Sequence, residues 1–163
     1  MEDVGFRVTG CFCNYQENPL GMDETPVFSW KMDLERAGDF QSAYRIVVFK
    51  EDKNPVWDSG KVEGRQNVSV PYEGPPLEPR TRYRWRITAW NSEQEKAQGD
   101  MGWFETGKGE EPWRARWIGA PWCKLDKDDE AAPYFRKTFP LSGKVRKARL
   151  YICGLGVYEA WLE

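Results

Sequence analysis

Leu77-Glu78-Pro79-Arg80-Thr81-Arg82-Tyr83-Arg84-Trp85-Arg86-Ile87 decides how the rest of the chain is read. A leucine stands six residues before a tyrosine, with proline and threonine between them, and a stretch with alternating faces follows. This is the sequence form of a tyrosine corner. In that device a tyrosine hydroxyl bonds to backbone a few residues upstream and ties the edge of a β-sandwich shut. Side chains alternate along a strand, so Tyr83, Trp85, Ile87 and Ala89 share one face, expected to point inward.

Two residues after Tyr83 stands Trp85, not the cysteine that an antibody-type domain places there. The stretch therefore predicts an all-β chain headed by a fibronectin type III-like, seven-stranded sandwich. Upstream, Val8–Tyr15 reads as a first strand, broken by Asn18-Pro19-Leu20-Gly21. Val27–Met32 alternates, with Trp30 where such a core expects its central aromatic, and Ala43–Phe49 sets Tyr44, Ile46 and Val48 on one face. Val56–Val62, Val68–Tyr72, Thr81–Trp90 and Gly102–Thr106 complete the strands, with turn residues between them. Trp30, Tyr44, Leu77, Tyr83 and Trp85 are the expected structural anchors. Arg80, Arg82, Arg84 and Arg86 form a stripe on the opposite face, ordinarily a solvated surface; the other reading is an anion or interdomain contact.

The chain has 163 residues, of which 31 % are charged and 40 % hydrophobic, a composition that folds. A net charge of −2 gives no reason to expect nucleic acid or an anionic membrane as partner. No apolar run nears the roughly 20 residues of a membrane helix, and Met1-Glu2-Asp3-Val4 does not resemble a signal peptide. Histidine is absent, which excludes the Ser-His-Asp triad, the Cys-His pair and imidazole zinc sites. Cys11 and Cys13 are two apart on an expected strand and cannot readily bridge each other, while Cys123 and Cys153 lack zinc-pair spacing. No cofactor or metal is expected. Asp126, Asp128, Asp129 and Glu130 lack the order and glycine of a calcium loop and read as a solvated loop.

Residues 1–108 are expected to be the fibronectin-like domain, 109–116 a charged linker, and 117–163 the start of a second β-sandwich. Tyr134–Phe139, Lys147–Cys153 and Val157–Leu162 are its strand candidates. So short a segment rarely closes a core alone, and it is expected to be cut off in mid-domain. Its unfinished strands invite pairing, and residues from Arg149 to Leu162 are expected to dock on the first domain or on a second copy. Nine Trp, seven Tyr and eight Phe raise the question of a sugar platform. Trp90, Trp103, Trp113, Trp117 and Trp122 are the candidates, with two readings: interdomain contact, favoured because several bracket the linker, or sugar stacking. Twenty-six acidic residues make chance carboxylate pairs unavoidable, so none is singled out for hydrolytic chemistry.

Taken in order, several strings resemble the N-terminal region of bacterial α-L-rhamnosidases. They are Asn18-Pro19-Leu20-Gly21, Pro26-Val27-Phe28-Ser29-Trp30, Gln41-Ser42-Ala43-Tyr44-Arg45-Ile46 and Val56-Trp57-Asp58-Ser59-Gly60-Lys61-Val62. After the corner come Phe104-Glu105-Thr106-Gly107, Ala115-Arg116-Trp117-Ile118, Ala132-Pro133-Tyr134-Phe135-Arg136-Lys137 and the run from Ala148 to Glu159. The resemblance covers nearly the whole chain. It implies a fibronectin-like domain followed by a β-sandwich, with an (α/α)₆ barrel far downstream. It also implies a parent that removes terminal α-L-rhamnose with inversion, using two barrel glutamates that match no position here. The chain is thus expected to be a non-catalytic accessory region, with later domains of its own parent as partners. The alternative is an independent module that binds carbohydrate, including rhamnose-containing glycans, or another protein.

Overall fold

The computed structural model describes residues 5–50, 54–120 and 132–162. The chain divides into two units, Met1–Trp113 and Arg114–Glu163. Among the described residues the first unit holds ten strands: β1 (Phe6–Cys13), β2 (Leu20–Met22), β3 (Val27–Leu34), β4 (Gln41–Lys50), β5 (Pro55–Asp58), β6 (Val62–Glu63), β7 (Val70–Pro71), β8 (Arg82–Asn91), β9 (Lys96–Gln98) and β10 (Gly102–Thr106). One sheet has the order β1-β3-β7. The other runs β2-β10-β8-β4-β5, with β6 also on β4 and β9 also on β8.

The two longest strands, β4 and β8, pair antiparallel from Gln41↔Asn91 to Lys50↔Tyr83 and form the spine of the larger sheet. Their alternation is visible in burial: Tyr44, Ile46 and Val48 of β4 and Tyr83, Trp85, Ile87 and Ala89 of β8 are buried. They meet Phe6, Phe28 and Trp30 from the smaller sheet in one core. The aromatic rings contact one another there, with Phe28 to Trp85 centroids at 4.5 Å, Trp30 to Tyr44 at 5.4 Å and Tyr83 to Phe104 at 5.4 Å. Such ring pairs add to what area burial alone supplies. The Trp30 indole N–H donates to Gln41 Oε1 at 2.8 Å, and Gln41 in turn donates to the Gln66 carbonyl at 2.8 Å, so this buried polar pair is satisfied.

At the corner, the Glu78 backbone N–H donates to the Tyr83 hydroxyl oxygen at 2.9 Å, and Leu77 packs against the core. Arg80 sits in the turn before β8 with φ of 53°, and its N–H donates to the Gly107 carbonyl. It therefore does not share the strand face, and the stripe consists of Arg82, Arg84 and Arg86.

Several strand limits differ from those read in the sequence, each for a local reason. β1 stops at Cys13 because Asn14 and Tyr15 adopt left-handed φ of 46° and 62°. Leu20 and Gly21, read as part of the break Asn18–Gly21, form with Met22 a short parallel strand against β10, and the Glu105 and Gly107 N–H groups donate to the Pro19 and Met22 carbonyls. The segment around Trp57 is two strands, not one. Asp58 accepts the Gly60 N–H at 2.9 Å and Ser59 Oγ accepts the Ile46 N–H at 2.9 Å, which turns the chain between β5 and β6. β7 is confined to two residues by Ser69 at φ of 53°. β9 was not anticipated at all.

In the second unit the described residues, 114–120 and 132–162, contain no strand, so the three expected there are not formed among them. A strand pattern becomes a strand only with a ladder partner and apolar cover. Within this unit Tyr134, Val157, Trp161 and Leu162 are exposed.

Candidate functional surface

The outer face of the larger sheet gathers most of the chemistry. Opposite the buried residues of β8 lie Arg82, Arg84, Arg86, Thr88 and Trp90, none of them buried. Register places Glu105 of β10 across from Arg82 and Trp103 across from Arg84. The Arg82 guanidinium stacks on the Trp103 ring at 4.2 Å and reaches the Glu105 carboxylate at 3.3 Å. Glu105 is only 2 % exposed, so this pair removes a carboxylate from water and compensates it with a cation. The Trp103 backbone N–H donates to Asn18 Oδ1 at 2.9 Å, tying the same corner to the turn before β2.

On the other side of β8, Val47↔Asp58 and Val47↔Arg86 register brings β5 and β8 to either side of β4. Arg45 grips Asp58 with both Nε, at 2.8 Å, and a second nitrogen. The Arg45 guanidinium holds the Asp58 carboxyl below its ordinary value, so Asp58 is an anion at neutral pH. A concavity of about 260 Å³ lies here, with Val47, Phe49 and Pro55 as its apolar part. Arg86, Thr88 and Gln98 complete its polar part beside the Arg45–Asp58 pair. Among the described residues no carboxylate lies within ion-pair distance of Arg84 or Arg86.

The expected anchors Trp30, Tyr44, Tyr83 and Trp85 are buried, and Leu77 is partly buried. Of the tryptophans read as contact candidates, Trp90 and Trp103 are partly exposed on the outer sheet face. Trp113 and Trp117 are 50 % and 69 % exposed, and Trp122 lies outside the described residues. Each of the rings Trp90, Trp103 and Trp113 has a cation over it, from Lys61, Arg82 and Lys108 respectively. A sugar stacking on that ring face would have to displace the cation.

Cys11 and Cys13 are free thiols; burial pushes them up to about 11 and about 12, which makes them poor nucleophiles. Cys153 is exposed, and Cys123 with the acidic run Asp126–Glu130 lies outside the described residues. Among the described residues no group of three or more His, Cys, Asp or Glu is placed to hold a metal, and no helix is long and apolar enough to cross a membrane. Sequence reasoning did not single out Arg45, Asp58, Gln98 or Glu105 for this surface. Arg45 and Asp58 are 13 residues apart and meet only through strand register, which carries no local signal.

Two sheets, their connectivity and the tyrosine corner define an immunoglobulin-like β-sandwich. Residues 8–110 match the family model described as the Rha78A-like, N-terminal immunoglobulin domain, and the chain belongs to that family. The match ends at residue 110 and the division between units falls after Trp113. An α-L-rhamnosidase of Streptomyces avermitilis is 35 % identical over 96 % of this chain, and one of Formosa agariphila is 34 % identical over 92 %. The chain spans only 18 % and 19 % of their lengths. The crystal structure of the Streptomyces avermitilis α-L-rhamnosidase complexed with L-rhamnose is similar, with a TM-score of 0.66 and 41 % identity. That likeness covers 71 % of this chain and 12 % of the other. The α-L-rhamnosidase from Dictyoglumus thermophilum follows at 0.64 and 35 %, covering 69 % and 14 %.

Proposed function

We propose that this chain is the non-catalytic N-terminal accessory region of a larger α-L-rhamnosidase-type glycoside hydrolase. The observation that carries the reading is the match of residues 8–110 to an N-terminal immunoglobulin domain, in a chain that spans 18 % of an α-L-rhamnosidase. The surface chemistry supports it. Glycoside hydrolysis needs one carboxyl kept protonated and another free to act as base or nucleophile. The two carboxylates built into the outer sheet face, Asp58 and Glu105, are each held by an arginine. The contact with Arg45 keeps Asp58 ionised, so it does not supply the protonated carboxyl.

On this reading the whole protein removes terminal α-L-rhamnose with inversion, and its reacting groups lie in other domains. The sandwich packs against those later domains and braces the approach to the sugar site. The exposed apolar side chains of residues 132–162 are covered by the same domains. Hydrolysis of an aryl α-L-rhamnoside tests the reading, with the natural gene product that carries this sequence and the 163-residue chain assayed in parallel. Turnover by the long protein alone is the expected result. Turnover by neither would leave an independent binding module as the better account.

A further inference from the structure

We propose that the concavity on the outer face of the larger sheet binds one uronic acid residue of a glycan, with its carboxylate on Arg86. Charge selects the anion. Arg45 and Asp58 neutralise each other through their two-point pair, so among the described lining residues the guanidinium of Arg86 is left as one positive charge in excess. No carboxylate among the described residues is paired with Arg86. A guanidinium fork and a carboxylate match in a two-point, charge-assisted hydrogen bond.

Shape and lining select the sugar ring, a choice that rests on reading the chain as part of a glycoside hydrolase. Val47, Phe49 and Pro55 offer an apolar floor to the C–H face of a pyranose. The ionised Asp58 accepts hydrogen bonds from ring hydroxyls and repels a second carboxylate, which fixes the ligand with its acid group toward Arg86. Thr88 and Gln98, themselves within 3.4 Å, supply further hydroxyl partners. About 260 Å³ in an open depression is room enough for one ring.

The test is an amide NMR titration of the 163-residue chain with sodium glucuronate, glucose and sodium acetate at constant ionic strength. Saturable shifts are expected around Asp58, Arg86, Thr88 and Gln98, with a dissociation constant on the order of millimolar for glucuronate. Glucose and acetate are each expected to bind at least ~10-fold more weakly, since each lacks one of the two recognition elements. Arg86→Gln is expected to weaken glucuronate binding by at least ~10-fold while the Glu78 amide, which reports the tyrosine corner, keeps its resonance. No saturable shift, or glucose binding as tightly as glucuronate, overturns the site. Acetate binding as tightly as glucuronate also overturns it and leaves a simple anion site of the kind an acidic protein side chain would fill. If Arg86→Gln fails to fold, the comparison of three ligands on the unsubstituted chain decides alone. This titration is independent of hydrolysis. Its failure leaves the accessory reading standing, and inactivity of the long protein toward rhamnosides leaves the titration interpretable.

Discussion

The two faces of β8 use one alternation for different ends. Tyr83, Trp85, Ile87 and Ala89 are buried against rings from the other sheet, and any register shifted by an even number of residues would still have sent them inward. Arg82, Arg84 and Arg86 stand one residue away, yet their surroundings differ from position to position. Arg82 is stacked and ion-paired, whereas Arg84 and Arg86 have no carboxylate partner among the described residues. The inner face is decided by burial, which is non-directional. The outer face is decided by register, which sets which charge meets which. Stability should therefore concentrate on one side of the strand and binding on the other.

The largest effect that could break this contrast is on the inner side. Trp85→Ala should destabilise the sandwich by about 3–5 kcal/mol, measured by denaturant or thermal unfolding. A cost near that of an outer-face change would sink the contrast. Gly102→Ala comes next, because a Cβ there would lie 2.5 Å from Trp85 Nε1 and 2.9 Å from Cε2. Pushing a methyl into that packed ring should cost roughly 1–3 kcal/mol, and near-neutrality would mean the indole has slack to move. Tyr83→Phe keeps the ring but leaves the Glu78 N–H without its acceptor, at a cost of about 1–2 kcal/mol. An unchanged midpoint would show that water replaces the corner bond.

The smallest effect is expected outside. Asp58 and Arg45 are solvent-exposed, so the pair is screened and should contribute only ~0.2–1 kcal/mol. Its sign with pH is fixed by the lowered carboxyl. The contribution is present above the ordinary value of 3.8 and is lost as pH falls through the lower folded-state value. Asp58→Asn should flatten that acid limb and leave neutral-pH stability almost unchanged. A loss comparable to Tyr83→Phe would place the ion pair among the structural anchors instead.

Legibility in the sequence follows the same divide. The corner and the inward sets on β3, β4 and β8 were readable because period-two burial and a Leu-to-Tyr spacing are local signals. β2 and β9, at three residues each, are too short to show alternation and exist because β10 and β8 offer partners. The break between β5 and β6 was hidden because Ser59 and Asp58 act through hydrogen bonds to distant or turned backbone. The strand-like pattern of Tyr134, Phe135, Val157 and Tyr158 lacks ladder partners among the described residues, which no local pattern could have revealed. The concavity beside Arg86 was unreadable for the register reason, since Asp58 of β5, Arg86 of β8 and Gln98 of β9 reach it from separate strands.

The most direct test of the central claim is rhamnoside turnover by the natural gene product after deletion of residues 1–113, per folded molecule. An accessory sandwich predicts a kcat changed by well under ~10²-fold, because removing one positioned acid or base typically costs ~10²–10⁴-fold. A loss of that larger size in a protein that remains folded would contradict the account and place a reacting group within this chain.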